Sequence, residues 1–168
     1  MSQVNVDTSY SPLQKILHWG VLALCITQFI TGPKITESNL AQHGLGHSAW
    51  VGLAHKGHAV IGIGIFLLIL LRLFLRWRGG SKTAATNNTL PWQKIIARIN
   101  HAALYALLLI LPITGYAAMY VWRSAGPIHT FLINVSLILV ALHVIAALWH
   151  QFIMKDNLLM KMLKIKIS

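Results

Sequence analysis

The chain has 168 residues, 56% hydrophobic and 10% charged, whereas an ordinary soluble domain carries about 25% charged residues. Fourteen Lys and Arg residues against three acids give a formal net charge of +11. A nucleic-acid-binding protein would gather such charge on one solvated face, but here the charges lie at the edges of long apolar stretches. The composition excludes an ordinary soluble domain, argues against nucleic acid as a partner, and predicts an integral membrane protein in contact with lipid.

Four apolar stretches are long enough to cross a hydrocarbon core of about 30 Å, which requires roughly 20 helical residues. We place them near 16–32, 53–75, 97–121 and 128–152. Each is predicted to be a helix, because backbone groups in lipid must form their hydrogen bonds within the segment. The sequence therefore predicts an all-α membrane protein, a single domain over 1–168 folded as a four-helix transmembrane bundle.

Proline and glycine mark boundaries and weak points in these helices. The first helix is predicted to end at Gly32-Pro33. Pro112 lies inside the third helix and predicts either a kink or a looser upper half. After the fourth helix, residues 154–168 alternate Lys with apolar residues. This tail is predicted to be amphipathic and to lie in the inner membrane interface.

The distribution of lysine and arginine predicts the orientation, since these residues favour the cytoplasmic side. If the N-terminus is inside, only Lys34, Lys56 and Arg123 lie outside, and the other eleven Lys and Arg residues lie inside. Both termini are therefore expected in the cytoplasm. The small positive bias outside would steer an anion toward that face.

Nine histidines are the most informative feature, because ionisable side chains within a bilayer are costly and usually functional. His129 and His143 are 14 residues apart on the fourth helix, so they share one face about 21 Å apart. By depth, His129 lies level with His58, and His143 can approach His18. Two such pairs would suit two stacked b-type haems, since iron with two imidazole ligands favours electron transfer. His150 lies on the same face and could meet His18 nearly as well as His143.

Other interpretations of these histidines remain open. A single membrane histidine often only bonds to a neighbouring helix. A zinc site is disfavoured because the candidates form two distant layers without acidic or cysteine ligands, and proton pathways usually contain intramembrane carboxylates. The one cysteine, Cys25, and the lack of a C-x-x-C-H motif mean that any haem would be bound non-covalently. Gly62 and Gly64 would leave room for a macrocycle beside the second helix.

A series of short motifs runs along the chain in a distinctive order. It consists of Leu17-His18-Trp19, His58 with Gly62 and Arg72, His101 with Tyr105, Leu111-Pro112-Ile113-Thr114-Gly115, Ala141-Leu142-His143, Leu148-Trp149-His150 and Lys155-Asp156-Asn157-Leu158-Leu159. In order and spacing, this series resembles the bacterial cytochrome b561 family, which is related to the cytochrome b subunits of nickel–iron hydrogenases. The resemblance covers nearly the whole chain.

The resemblance implies two haem b groups in a bacterial inner membrane. Their ligands would be His18, His58, His129 and His143, which favours His143 over His150. The chain is most similar to the short members that pass electrons from superoxide on the periplasmic side to ubiquinone. The resemblance therefore implies a di-haem oxidoreductase with ubiquinone as the electron acceptor.

Two departures from the family pattern concern the electron donor. The family often has Trp-His-Glu at the start of the fourth helix, whereas this chain has Ile128-His129-Thr130. The outer loop, 123–128, is also short. The alternative function is a cytochrome b subunit that anchors a periplasmic dehydrogenase or hydrogenase and links it to the quinone pool. Short outer loops argue mildly against such a docking surface.

Further candidates for cofactor binding lie near the inner surface: Arg72, Arg76, His101, Tyr105 and His150. The two arginines either anchor the helix at the membrane surface or pair with haem propionates or an anionic quinone. His101 and His150 are predicted to frame a quinone pocket with Tyr105, because a quinone needs an apolar slot and polar groups at its oxygens. Alternatively, these histidines only bond to neighbouring helices.

A second histidine cluster, His43, His47 and His55, lies on the outer side. His43 and His47 have the spacing to chelate a metal if they are helical. The intervening glycines disfavour a stable helix and favour a surface loop.

Overall fold

The structure, a computed structural model, describes residues 11–41, 49–79 and 90–163. Four long helices follow one another, and each contains a span long and apolar enough to cross a membrane. The helices are α1 (Pro12–Ala41), α2 (Ala49–Arg78), α3 (Pro91–Tyr116), α4 (Ala125–Phe152) and the short α5 (Leu158–Leu163). The predicted all-α, four-helix transmembrane fold is confirmed.

The helices extend beyond the predicted apolar stretches. Helix α1 continues past Gly32-Pro33, where the sequence predicted its end, to Ala41. Proline removes one N–H donor, and the remaining backbone groups still form the hydrogen bonds of the helix. Helix α3 begins earlier than predicted, with Pro91 in its first turn, where the missing N–H costs nothing. The Gln93 side chain accepts a 2.9 Å hydrogen bond from the Leu90 N–H and secures that start.

Helix α3 remains continuous through Pro112 and then changes its winding. A π-helical turn spans Ala117–Val121, just before the connection to α4. The Thr114 hydroxyl lies within hydrogen-bonding distance of the Ile110 and Leu111 carbonyl oxygens. The π-helical turn lies in the upper half of the predicted third helix, and whether Pro112 bends or loosens the helix stays a prediction.

Each long helix packs against the next one along the chain. The buried centre of the packing consists of Val21 on α1 with Ile65 and Ile69 on α2. Many large apolar side chains lie on the outside of the bundle, such as Val60 and Ile138, which are 66% and 61% exposed. This distribution is expected where lipid rather than water covers the surface.

The C-terminal segment folds back onto the first helix. The Trp19 indole N–H donates a 3.3 Å hydrogen bond to the Met162 carbonyl oxygen of α5. The turn between α4 and α5 contains two non-glycine residues with left-handed backbone, Lys155 (φ 50°) and Asn157 (φ 58°). Residues 154–163 of the predicted interfacial tail are therefore a turn and a short helix held against α1, and 164–168 lie outside the described residues.

Candidate functional site

Three helices bring three histidines together at one level of the bundle. The ring centroids of His18 on α1 and His143 on α4 are 6.2 Å apart, and the rings are tilted by 55°. His101 on α3 stands edge-on to His143, with 5.0 Å between centroids. Nδ1 of His101 lies 2.6 Å from the Ala97 carbonyl oxygen. A carbonyl only accepts, so Nδ1 carries the proton and Nε2 of neutral His101 keeps its lone pair. We call His18 and His143 the inner pair.

His150 lies elsewhere, although the sequence places it on the same face of α4. Its Nδ1 is 2.6 Å from Oδ2 of Asp156, and the two side chains are only 17% and 4% exposed. The backbone N–H of Asp156 also donates to the His150 carbonyl oxygen. The structure thus places His143 beside His18, and it places His150 against Asp156 rather than with His101 and Tyr105.

A second pair, His58 on α2 and His129 on α4, lies toward the other end of the bundle; we call it the outer pair. The two side chains are close enough to interact electrostatically. Nδ1 of His129 lies 3.0 Å from the Thr114 hydroxyl oxygen. Oγ1 of Thr114 also lies 3.0 Å from the Leu111 carbonyl oxygen; when the hydroxyl donates to that carbonyl, its oxygen accepts from Nδ1–H of His129. Nε2 of His129 is then left with the lone pair that binds metals.

A glycine lies beside each ring of the outer pair, and at Gly115 the approach is tight. A Cβ at Gly115 would lie only 3.1 Å from Cε1 of His129, so the ring occupies the space that a larger residue would fill. A Cβ at Gly32 would lie 3.8 Å from Cε1 of His58. Sequence analysis did not assign Thr114 or Gly115 a role, although both belong to a quoted motif. The two residues are adjacent on α3, and their contacts with His129 become apparent only when α4 is packed beside α3.

The two glycines of α2 that the sequence analysis singled out differ in the space around them. A Cβ at Gly62 would meet Nε2 of Gln28 at 3.3 Å and Cβ of Pro112 at 4.0 Å, so neighbouring helices fill this position. A Cβ at Gly64 would meet nothing within 4 Å. Open space therefore lies beside Gly64, whereas Gln28 of α1 and Pro112 of α3 lie close to Gly62; room for a macrocycle at these positions stays a prediction.

The inner pair fits a group that takes two imidazole ligands. Two imidazoles on opposite sides of one metal, with bonds of about 2 Å, have ring centres roughly 6 Å apart, which agrees with the inner pair. Nδ1 of His18 and Nδ1 of His58 are buried without a hydrogen-bond partner, although buried polar atoms are normally paired. Among the described residues, no three or more His, Cys, Asp or Glu side chains form a metal-binding group. Two imidazoles form the axial ligand set of a haem iron, whereas a structural zinc ion takes four protein ligands.

A cavity of about 290 Å³ lies beside the inner pair. It is lined by Leu73, Arg76, Arg98, His101, Ala102 and Tyr105. The guanidinium carbon of Arg72 lies 5.7 Å from the centre of the Tyr105 ring, in a cation–π contact. The volume lies just below the range for small-molecule pockets, roughly 300–1,000 Å³, and so suits one ring-sized head group.

Four of the five candidates for cofactor binding therefore gather in one place, and Arg98 joins them. Sequence analysis missed Arg98 as a site residue. The available signal was its spacing of three residues before His101 on α3, which puts both side chains on one face. The connection is structural: His101 lines the cavity and also contacts His143.

The outer histidine cluster is largely outside the described residues. His43 and His47 lie there, so the predicted choice between a metal site and a surface loop stays open. His55 is half-buried on α2, and Lys56 and Arg123 are exposed.

Comparisons with known proteins agree over nearly the full length. The family model described as prokaryotic cytochrome b561 matches residues 9–164. A cytochrome b562 of Cereibacter sphaeroides is 31% identical over 161 residues, which cover 94% of this chain and 97% of that protein. A "Probable superoxide oxidase" of Yersinia pestis is 28% identical over 176 residues, 92% of this chain and 95% of that protein. The cytochrome b561 homolog 1 of Escherichia coli is also 28% identical, covering 92% and 96%.

Proposed function

Because the chain belongs to the prokaryotic cytochrome b561 family of membrane electron-transfer proteins, we propose that it carries electrons from periplasmic superoxide to ubiquinone in the bacterial inner membrane. Two haem b groups, when bound, supply the one-electron chemistry. The chain's own residues hold these groups, keep them apart from water and bind the quinone.

The proposed ligands are the inner pair, His18 and His143, and the outer pair, His58 and His129. The 6.2 Å separation of the inner rings supports the first assignment. The contact of His129 Nδ1 with Thr114 supports the second, since it leaves Nε2 available as a ligand. With Cys25 as the one cysteine of the chain, the haem groups are held without covalent attachment.

The cavity beside the inner pair is the proposed quinone site. Arg76 and Arg98 donate N–H groups to a quinone oxygen and balance its negative charge during reduction. Nε2 of His101 accepts a hydrogen bond from a hydroxyl of the reduced ring. The observation that carries the proposal is that His101 makes two contacts: it lines the cavity, and it touches the ring of His143.

The excess of Lys and Arg on one side supports cytoplasmic termini, with the inner pair and the cavity toward the cytoplasm. The outer pair then faces the periplasm, where superoxide would arrive. Exposed Lys56 and Arg123 give that face its positive side chains, which attract an anion. The similarity to the Yersinia pestis protein, itself named for superoxide oxidation, supports this choice of donor.

The test is optical and uses oxidised, detergent-purified protein. A superoxide source is added with and without superoxide dismutase while the haem bands are recorded. We expect superoxide to reduce the haem rapidly, and the dismutase to abolish this reduction. Added ubiquinone should then reoxidise the haem. Haem that superoxide leaves oxidised, but quinol or dithionite reduces, would instead support the partner-anchoring cytochrome. Protein without haem bands, made with adequate haem supply, would contradict the assignment of the histidines.

A further inference from the structure

Gln28 is a half-buried residue in the apolar span of α1, and its buried amide oxygen has no hydrogen-bond partner. Its Nε2 donates a 2.9 Å hydrogen bond to the backbone carbonyl oxygen of His58 on α2. Because a carbonyl only accepts, the orientation of the amide is fixed by this bond. Oε1 therefore points elsewhere, and it is buried without a partner.

The side chain of His58 also contains a nitrogen without a hydrogen-bond partner. Its Nδ1 is also buried without a partner. The ring lies against α1, with Cε1 3.8 Å from the position that a Cβ of Gly32 would take. Gly32 follows Gln28 by one helical turn, so both lie on the same face of α1. Two of the five unpartnered buried side-chain atoms among the described residues thus lie where α1 meets α2 at His58.

The position of the Gln28 amide depends on Gly62 of α2, which lies next to it. A Cβ at Gly62 would lie 3.3 Å from Nε2 of Gln28, closer than an ordinary contact. Gly62 therefore lets the amide reach the His58 carbonyl.

The chemistry of a bound metal makes the two unpartnered atoms a matched pair. A neutral histidine that binds metal through Nε2 carries its proton on Nδ1 and needs an acceptor there. Oε1 of Gln28 only accepts. We propose that Gln28 is the positioning residue of the outer pair, holding His58 by Nε2–H to its carbonyl and by Oε1 accepting from Nδ1–H in the haem-loaded protein. This inference rests on the proposed function, since it requires the outer haem.

A hydrogen bond to Nδ1 makes a histidine a more basic ligand, which stabilises ferric over ferrous iron. Loss of such a partner typically changes metal affinity or activity about 10- to 100-fold. For a one-electron couple, a tenfold change in the ferric-to-ferrous preference is about 59 mV in midpoint potential. Gln28 therefore keeps the potential of the outer haem low.

The experiment is a redox titration of purified, haem-loaded protein, with electron paramagnetic resonance spectra of the oxidised form. Gln28→Met preserves an unbranched side chain of similar length but removes both hydrogen bonds. We expect the midpoint potential of the outer haem to rise, with a tenfold or greater change in the ferric-to-ferrous ratio. The outer haem's resonance should shift, and the inner haem should be unaffected.

Thr27→Val is the matched control. The Thr27 hydroxyl is exposed and bonds only within its own helix, to the Ala23 carbonyl oxygen, so both potentials should match the wild type. Gln28→Glu keeps an acceptor oxygen at the position of Oε1 and should leave the outer potential equal to or below that of the wild type. This variant remains informative if Gln28→Met fails to fold.

Three results would overturn the inference. In a wild type with two haems, an unchanged outer potential in Gln28→Met would show that Oε1 does not hold His58. An outer potential raised in Gln28→Glu would show that the acceptor is not what matters. A wild type without an outer haem would overturn the proposed function itself, and the inference with it, and is recognised before any variant is measured.

Discussion

At the scale of single residues, the histidines differ in what their Nδ1 atoms contact. His129 uses the Thr114 hydroxyl, His101 the Ala97 carbonyl and His150 the Asp156 carboxylate. In each case Nε2 faces away from the contact. A fixed second nitrogen orients the ring and selects its tautomer before any ligand binds. These contacts divide the histidines into proposed ligands, a cavity residue and a partner of the C-terminal turn.

The two-layer assignment makes a direct prediction. His58→Ala or His129→Ala should remove one of two haems and spare the other, because the layers on α4 are about 21 Å apart along the helix axis. Haem content per protein and the optical spectrum measure the loss. His55→Ala, one turn before His58 on α2, is the control and should keep both. Loss of both haems from either ligand variant with intact circular dichroism would contradict the assignment.

The close approach at Gly115 leads to a second prediction. In Gly115→Ala the new Cβ would lie 3.1 Å from Cε1 of His129 and should displace the ring. Overpacking of this kind typically costs about 1–3 kcal/mol, so the outer haem should be lost or bound more weakly. Gly64→Ala, where a Cβ meets nothing within 4 Å, is the matched control. Equal haem retention in the two variants would argue against a tight seat for His129.

At the scale of elements, α3 (Pro91–Tyr116) serves both layers. Its first half presents Arg98, His101 and Tyr105 to the cavity, and its second half presents Thr114 and Gly115 to His129. Pro112 does not interrupt the helix between them. The continuous helix therefore keeps a fixed relation between the proposed quinone site and the outer pair.

The cavity residues of α3 can be tested by substitution. Arg98→Gln should raise the KM for a short-chain ubiquinone about tenfold, the scale of a hydrogen bond to a charged group, while the haem spectrum stays unchanged. Steady-state quinone reduction measures this. Lys94→Gln, on the preceding turn and outside the residues that line the cavity, is the control. A KM equal to that of the wild type in Arg98→Gln would exclude this arginine from the quinone site.

The contact between α1 and α5 gives a prediction about the C-terminal segment. Trp19→Phe keeps an aromatic ring beside His18 but removes the hydrogen bond to Met162. The expected loss is about 0.5–1.5 kcal/mol, seen as faster limited proteolysis after α4. Trp149 is 51% exposed, so Trp149→Phe is the control and should be cleaved like the wild type. Equal rates in both variants would show that this bond does not hold the segment.

At the scale of the whole molecule, the bundle is apolar outside, with a small buried centre and two levels of histidine inside. Large apolar side chains lie on its outer surface; Trp77 and Phe152, for example, are 81% and 69% exposed. Such a surface is stable only in lipid or detergent. The proposed haem ligands His18, His58, His129 and His143, by contrast, are all half-buried between the helices.

The orientation of the whole chain is also testable. A fluorescent protein fused to either terminus should fold in the cytoplasm and fluoresce, and alkaline phosphatase at the same sites should be inactive. The physical reason is the retention of Lys and Arg on the inner side. Active phosphatase at either terminus would reverse the assignment of the inner and outer pairs.

The sequence by itself determined the number of helices, their membrane-spanning character and the family. These follow from the length of apolar runs and the requirement that lipid-buried backbone be hydrogen-bonded internally. Within one helix, spacing also fixes which residues share a face, so His129 and His143 could be placed on one side of α4. The order of the motifs along the chain was enough to identify the family, which the comparison over residues 9–164 confirms.

Only the tertiary structure decided how residues of different helices meet. It showed the contact between His18 and His143 that helix periodicity alone had left open and the family resemblance had implied, and it brought Gln28 to His58. Such contacts depend on the rotation and relative depth of neighbouring helices. Those are set by packing across the whole bundle, and the periodicity of a single helix carries no information about them.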